Sequence, residues 1–296
     1  MKRIGMIGLG NMGFAMARNL LAGGFEVTGF DIDSARVEEL VAAGGRGAAS
    51  SAEVGSAADA VFVMVMNGSQ LEQVICGQDG LLETLAAGST IIVSATIEPR
   101  EIRAVAEPIA AKGVRIMDTP VSGGKDGAEG GTLTMMVAAP KDTFDEHMEV
   151  LEAVGEKIFH VGEEIGMGQT VKASLQALIG ATFTAIFESL VLGSKAGVEG
   201  RVLFEVFTAS GVRSPLLENC ARLIMDREFE NTGSHISTMY KDLGITMNLA
   251  RESGVAMFTT SASYELFQSG ISLFPDGDNW SIVKLLEQIA DTEVSW

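Results

Sequence analysis

Short apolar runs alternate with amphipathic stretches through the first 162 residues. Residues 3–7, 26–30, 60–66, 90–94, 115–118, 133–138 and 157–161 read as strands. Helical periodicity falls between them, over 14–22, from about Ala35, and in a stretch that ends at Lys112. Several of these runs are apolar throughout, as expected of strands covered on both faces, so the order predicts a mostly parallel sheet between two helical layers. Ser50-x-x-Glu53 is expected as a capping box, and Pro99 near a helix start. Beyond Gly162 the strand signals fade and long helical segments run from Gly168 to the end. The chain is therefore α/β, with a doubly wound domain over 1–162 followed by an all-α domain over 163–296. The boundary is expected near 162–166, and with no polar linker the two domains should share a close interface.

Two glycine patterns carry chemistry. The first expected strand runs straight into Gly8-Leu9-Gly10-Asn11-Met12-Gly13. Gly8 permits a tight turn, Gly10 lets backbone approach a pyrophosphate and Gly13 allows close helix packing, with the helix N-terminus facing the phosphates. The second strand ends in Asp31, which either accepts the hydroxyls of an adenosine ribose or caps the next helix. The ribose role is assigned to Asp31 and the cap to Asp33 or Ser34, which predicts NAD rather than NADP. Met66, at the end of the 60–66 strand, joins the expected cofactor contacts. The second pattern is Asp118-Thr119-Pro120-Val121-Ser122-Gly123-Gly124, continued by Gly127-Ala128 and Gly130-Gly131-Thr132-Leu133. Its Ser-Gly-Gly turn exposes consecutive N–H groups able to hold a carboxylate, or is an ordinary glycine-rich turn.

Residues 169–196 contain no proline, with Gly180 and Gly193 set well apart, and should form one long helix. Lys172 and Gln176, at i and i+4, share a face. They form either a solvated stripe or part of a site. Lys172 follows Gly166-Met167-Gly168 where the helix start is expected to face the interdomain cleft. There the helix dipole and an oxidised nicotinamide would depress its pKa and let it exchange a proton with a substrate hydroxyl or carbonyl. Phe183, Ile186, Phe187, Leu190 and Val191 recur at helical spacing. They either fill their own domain's core or meet a second copy, and a homodimer or homotetramer is expected.

Composition narrows the field. At 296 residues, 47% hydrophobic and 20% charged, the chain suits two globular domains. Its 21 basic and 39 acidic residues give a net charge of −18, which disfavours nucleic acid and anionic membranes as partners and demands local positive charge for a small anionic substrate. Cys76 and Cys220 lack metal or disulfide-framework spacing, and His147, His160 and His235 are scattered, so no metal is expected. Lys2-Arg3 before an apolar stretch imitates a signal peptide, but glycines, Asn11 and Arg18 interrupt it. No uninterrupted apolar run of bilayer length is expected, and the chain reads as soluble and cytoplasmic.

Taken together, Gly8-x-Gly10-Asn11-Met12-Gly13, Asp118-Thr119-Pro120-Val121-Ser122-Gly123-Gly124 with Gly130-Gly131-Thr132-Leu133, Gly168-x-x-x-Lys172 and Lys241-Asp242-Leu243 resemble the β-hydroxyacid dehydrogenase family across nearly the whole chain. Its members include 3-hydroxyisobutyrate, threonate and tartronate-semialdehyde enzymes. The resemblance implies a Rossmann-type NAD domain, a helical second domain and assembly as dimers or tetramers. It implies Lys172 as the proton-transferring residue, Ser122, Gly123 and Gly124 at the substrate carboxylate, Thr96 beside the nicotinamide and Lys241 near the cofactor. Two positions depart from the family pattern. Gln176 stands where many members have Asn, as in the threonate branch, which points to a three- or four-carbon polyhydroxy acid. Val93-Ser94-Ala95-Thr96 replaces the common Asp-x-Ser-Thr. The alternatives are a reductase of a small semialdehyde acid or an NAD-binding sensor. Imine reductases share the architecture but usually lack the lysine.

Overall fold

The computed structural model describes residues 2–296. Its strands are β1 (Arg3–Ile7), β2 (Glu26–Phe30), β3 (Arg46–Gly47), β4 (Ala60–Val63), β5 (Thr90–Val93), β6 (Arg115–Asp118), β7 (Val121–Ser122), β8 (Leu133–Ala138) and β9 (Gly155–Gly162). The helices between and after them are α1 (Asn11–Ala22), α2 (Ser34–Ala42), α3 (Ser51–Ala57), α4 (Gly68–Cys76), α5 (Pro99–Ala111), α6 (Gly124–Glu129), α7 (Lys141–Glu146) and α8 (Met148–Glu152). They surround one sheet in the order β3-β2-β1-β4-β5-β6-β8-β7, with β9 on β8. From β3 to β6 every pairing is parallel. The expected doubly wound α/β architecture is thus present, with its chain reversal between β1 and β4.

Burial explains the apolar runs. Ile4, Met6, Phe62 and Ile92 pack into one core, and Ile7, Val61, Val63, Ile91 and Val93 into another on the opposite face. Successive side chains therefore alternate between two dry faces, so the strands read as continuously apolar. The far end of the sheet is mixed: β8 runs antiparallel to β6 and β7. The sequence offered the glycine-rich region as a turn, whereas it contains the two-residue β7 and the short α6.

Cap chemistry partly matches expectation. Ser50 Oγ accepts the Glu53 N–H, but the Glu53 carboxylate reaches back to the Ala49 N–H at 2.7 Å, not to that of Ser50. The reciprocal bond stands at α5 instead, where the Glu101 carboxylate accepts the Glu98 N–H at 2.8 Å ahead of Pro99.

The remaining helices are α9 (Met167–Lys195), α10 (Gly200–Ala209), α11 (Pro215–Met225), α12 (Ile236–Ser253), α13 (Phe258–Leu273) and α14 (Val283–Ala290). Two compact units divide the chain within α9, Met1–Lys172 and Ala173–Trp296. The core of the second unit gathers Phe183, Ile186, Phe187, Leu190 and Val191 against α11, α12 and α13. Those five residues fill the core of their own unit. By length and composition α9 is long and apolar enough to cross a membrane, although Lys172, Gln176 and Glu188 interrupt its apolar run. Half of its most apolar window is buried against protein, as in the core helix of a globular unit.

The C-terminal segment is clasped to this unit. Arg227 Nη1 and Nη2 meet the two Glu287 oxygens at 2.5 and 3.1 Å, and Glu287 Oε1 accepts the Val294 N–H at 2.7 Å. Replacing Arg227 by Ala leaves the Glu287 carboxylate, whose side chain is only 7% exposed, without its cation. Removing one partner of a buried pair costs about 3–5 kcal/mol, and partial exposure of the arginine reduces this to roughly 2–3. Denaturant unfolding should show that loss, and an unchanged midpoint would refute the clasp.

Candidate functional site

The turn after β1 is shaped for a dinucleotide. Gly8 adopts φ +86°, and a Cβ there would stand 2.2 Å from the Met64 carbonyl oxygen. At Gly13 a Cβ would stand 1.9 Å from the Gly8 carbonyl oxygen, so the first turn of α1 lies directly on the loop. Above Gly10 nothing lies within 4 Å of such a position. The N-terminus of α1 has no side-chain cap, which leaves the amides of Asn11, Met12 and Gly13 for an anion. Close packing below and open space above suit a pyrophosphate, so these residues fit the cofactor that the motif implies. The chain reversal puts the end of β4 alongside, where the Met64 N–H donates to the Ile7 carbonyl at 2.8 Å. Met66, two residues on, is exposed.

Asp31 follows β2. Its Oδ2 accepts the Leu9 N–H at 2.6 Å and its Oδ1 accepts the Asp33 N–H at 2.9 Å. Asp33 supplies the N-cap of α2 through the Ala35 N–H at 3.0 Å. The carboxylate of Asp31 is thereby fixed beside the glycine turn and is not the helix cap.

At the other end of the sheet, Ser122 pairs with Thr134, and Gly123 and Gly124 take φ +130° and +61°. Both glycines are exposed, Gly124 opens α6, and no side chain caps that helix. The turn is therefore open to solvent. Thr96 is half-buried in the loop between β5 and α5.

Lys172 lies in the first turns of α9 and is 6% exposed. It is therefore no solvated stripe. Gln176, one turn further on the same helix, is buried and donates through Nε2 to Asp242 Oδ2. Within the second unit Lys241 Nζ stands 3.2 Å from Asp242 Oδ1. Asp242 thus gathers two of the expected site residues, a role that its place beside Lys241 in the sequence had not disclosed. Asp118 and Gln169 are a second pair that the sequence reading left out of the site. Asp118 is fully buried, and desolvation lifts its carboxyl to about 6 against the opposing hydrogen bonds from Gln169, Gly166 and Gly168. The available signal was Gln169 three residues before Lys172, adjoining it on the helix.

Residues 3–162 match the family model described as the NAD-binding domain of 6-phosphogluconate dehydrogenase. Residues 166–286 match the one described as NAD-binding of NADP-dependent 3-hydroxyisobutyrate dehydrogenase. The chain is 34% identical to 2-(hydroxymethyl)glutarate dehydrogenase of Eubacterium barkeri, over 99% of its own length and 97% of that protein's. It is 33% identical to L-threonate dehydrogenase of Cupriavidus necator, over 97% of both chains. Among solved structures, Mycobacterium tuberculosis 3-hydroxyisobutyrate dehydrogenase with L-serine superposes with a TM-score of 0.89 at 28% identity, over 97% of this chain and 99% of that one.

Proposed function

The chain belongs to the β-hydroxyacid dehydrogenase family, oxidoreductases that act on CH–OH groups with NAD(P), and from that premise we propose that it oxidises a small 3-hydroxy or 2,3-dihydroxy carboxylate with NAD. The observation that carries the reading is Lys172, a lysine withdrawn from solvent in the first turns of α9. Its amine takes the substrate hydroxyl proton during oxidation and returns it during reduction. When bound, the nicotinamide supplies the hydride acceptor.

The chain's own groups do the rest. Amides after Gly10 hold the pyrophosphate, Asp31 accepts the ribose hydroxyls, and Met66, Thr96 and Lys241 flank the cofactor. Ser122, Gly123 and Gly124 bind the carboxylate. Because the amide nitrogen of Gln176 is turned to Asp242, its carbonyl oxygen is the atom offered to a substrate hydroxyl, which favours a polyhydroxylated acid.

Steady-state kinetics with NAD and NADP on 3-hydroxyisobutyrate, L-threonate and the matching alcohols without a carboxylate test this reading. NAD should be preferred by more than tenfold in kcat/KM, about 1.4 kcal/mol. A preference for NADP removes the ribose role from Asp31, and equal rates on the alcohols remove the anion role from the Ser122–Gly124 turn. We also propose a cytoplasmic enzyme, consistent with two unpaired cysteines, and a homo-oligomer. The oligomer has support in Leu178 and Leu192, exposed on α9. A light-scattering mass of a single chain at micromolar concentration would contradict the assembly.

A further inference from the structure

Every polar side-chain atom of Gln169 is engaged, and the residue is 1% exposed. Nε2 donates to the Ala95 carbonyl at 2.9 Å and to Asp118 Oδ1 at 3.0 Å, while Oε1 accepts the Ile97 N–H at 3.1 Å. The amide thus grips the backbone on both sides of Thr96. Asp118 Oδ2 accepts the Gly166 N–H at 2.8 Å and the Gln169 N–H at 3.2 Å. One carboxylate therefore fixes the entry to α9, and the amide that it holds fixes the loop after β5. The join is tight, since a Cβ on Gly168 would stand 2.6 Å from the Met136 carbonyl oxygen and 2.7 Å from that of Asp118.

We propose that Asp118 and Gln169 are positioning residues, which set the Lys172 amine and the Thr96 loop in one fixed geometry for proton transfer. The inference rests on the acid/base role given to Lys172 above. Fold stability alone is a poor reason for such a pair. A buried carboxylate without a counter-charge is stabilised only by its hydrogen bonds, and apolar residues of similar volume would do as well or better. The groups acting on Asp118 are neutral amides, and the packed strands β5 and β8 contain no titratable residue. The elements around it carry Arg100, Glu101, Arg103 and Glu107 on α5, Arg115 on β6, Glu163 and Glu164 ahead of α9 and Lys172 on α9; of these Arg103 reaches the Ile165 carbonyl at 3.1 Å.

Protonation separates a positioning role from glue. Burial holds the folded pKa of Asp118 above the ordinary carboxylate range, at about 6. Its contribution to stability is therefore fully present below the unfolded value and is lost as pH rises through the folded one. Acidification strengthens the fold through this group, yet a neutral carboxyl turns an O–H toward donors that it formerly accepted. Rates should fall below about pH 6 in both reaction directions, whereas the Lys172 limb has opposite sign in oxidation and reduction.

The experiment measures kcat against pH in both directions with wild-type enzyme. It uses 3-hydroxyisobutyrate or L-threonate with NAD, whichever turns over faster, and its oxidised product with NADH. Gln169→Met is then assayed at neutral pH and Asp118→Asn over the same pH range as the wild type. A displacement of about 1 Å at the reacting groups can cost about 100-fold. Gln169→Met should therefore lose roughly 10- to 100-fold in kcat, with KM and NAD affinity within about twofold, and Asp118→Asn should abolish the acid limb common to both directions. Variants that lose only thermal stability, with wild-type kcat, would overturn the proposal. So would a wild type without the shared acid limb, a measurement that needs no variant to fold. If Lys172→Met kept full activity, the acid/base reading and this inference would fall together. If Lys172→Met were inactive while Gln169→Met kept its kcat, only the positioning role would fail.

Discussion

Lys172→Met should lower kcat by about 10²–10⁴-fold, the contribution typical of a positioned proton-transfer group. NAD affinity should stay nearly unchanged, because the proposed cofactor contacts lie chiefly in the glycine turn and Asp31. KM for the hydroxy acid should rise only modestly, since the carboxylate is assigned to the Ser122–Gly124 amides. The substitution also removes a positive charge, so Lys172→Arg is the informative companion. Guanidinium keeps the charge but cannot release its proton at working pH, and it should not restore kcat. Recovery in the Arg variant would mean that the lysine acts as a fixed charge and not as a base.

Gly13→Val should remove NAD binding. Its Cβ would be driven to 1.9 Å from the Gly8 carbonyl oxygen, and backbone cannot swing aside as a side chain can. α1 must lift from the loop, carrying its free amides away from the phosphates. Hydrogen bonds to charged groups are worth about 1.5–3 kcal/mol each, so losing even one or two weakens NAD by roughly 10- to 10,000-fold. Gly10→Ala separates cofactor approach from folding, because nothing lies within 4 Å of its Cβ. That variant should keep the wild-type melting temperature yet bind NAD less tightly. Calorimetric titration of both variants, beside thermal melts, distinguishes the two effects. A Gly13→Val protein with wild-type NAD affinity would contradict the pyrophosphate assignment.

The parts of the fold legible in the sequence are those where one physical constraint dominates. Strands β1, β4 and β5 are buried on both faces, so apart from Arg3 and Thr90 at their starts they carry no polar side chain, and α9 announces itself by length and lack of proline. The region after Asp118 was harder. Its glycines permit a turn, but they also allow β7 and α6 to fit beside β8, and pairing with a distant strand leaves no local trace. The apolar stripe from Phe183 to Val191 shows the same limit: periodicity reports that a face is buried but not what covers it, and here it is the chain's own second unit.

Among site residues, those that touch ligands through local backbone geometry, such as Gly8, Gly10 and Gly13, were readable because the motif and the structure are one object. Asp31 and Asp33 were separable because a cap must precede its helix by a fixed offset. Asp118, Gln169 and Asp242 act on other residues rather than on a ligand. Gln169 meets Ala95 and Ile97, which are more than 70 positions away, and only the fold brings such partners together.

The central claim is that Lys172 exchanges the substrate proton, and the pH dependence of kcat/KM for oxidation with NAD tests it most directly. Measured well above the Asp118 value of about 6, so that this group does not titrate, the wild-type value should rise as the lysine loses its proton and then level off. The residual activity of Lys172→Met should show no such limb over the same range. A rising limb that survives unchanged in the Met variant would place the proton on another group and contradict the account.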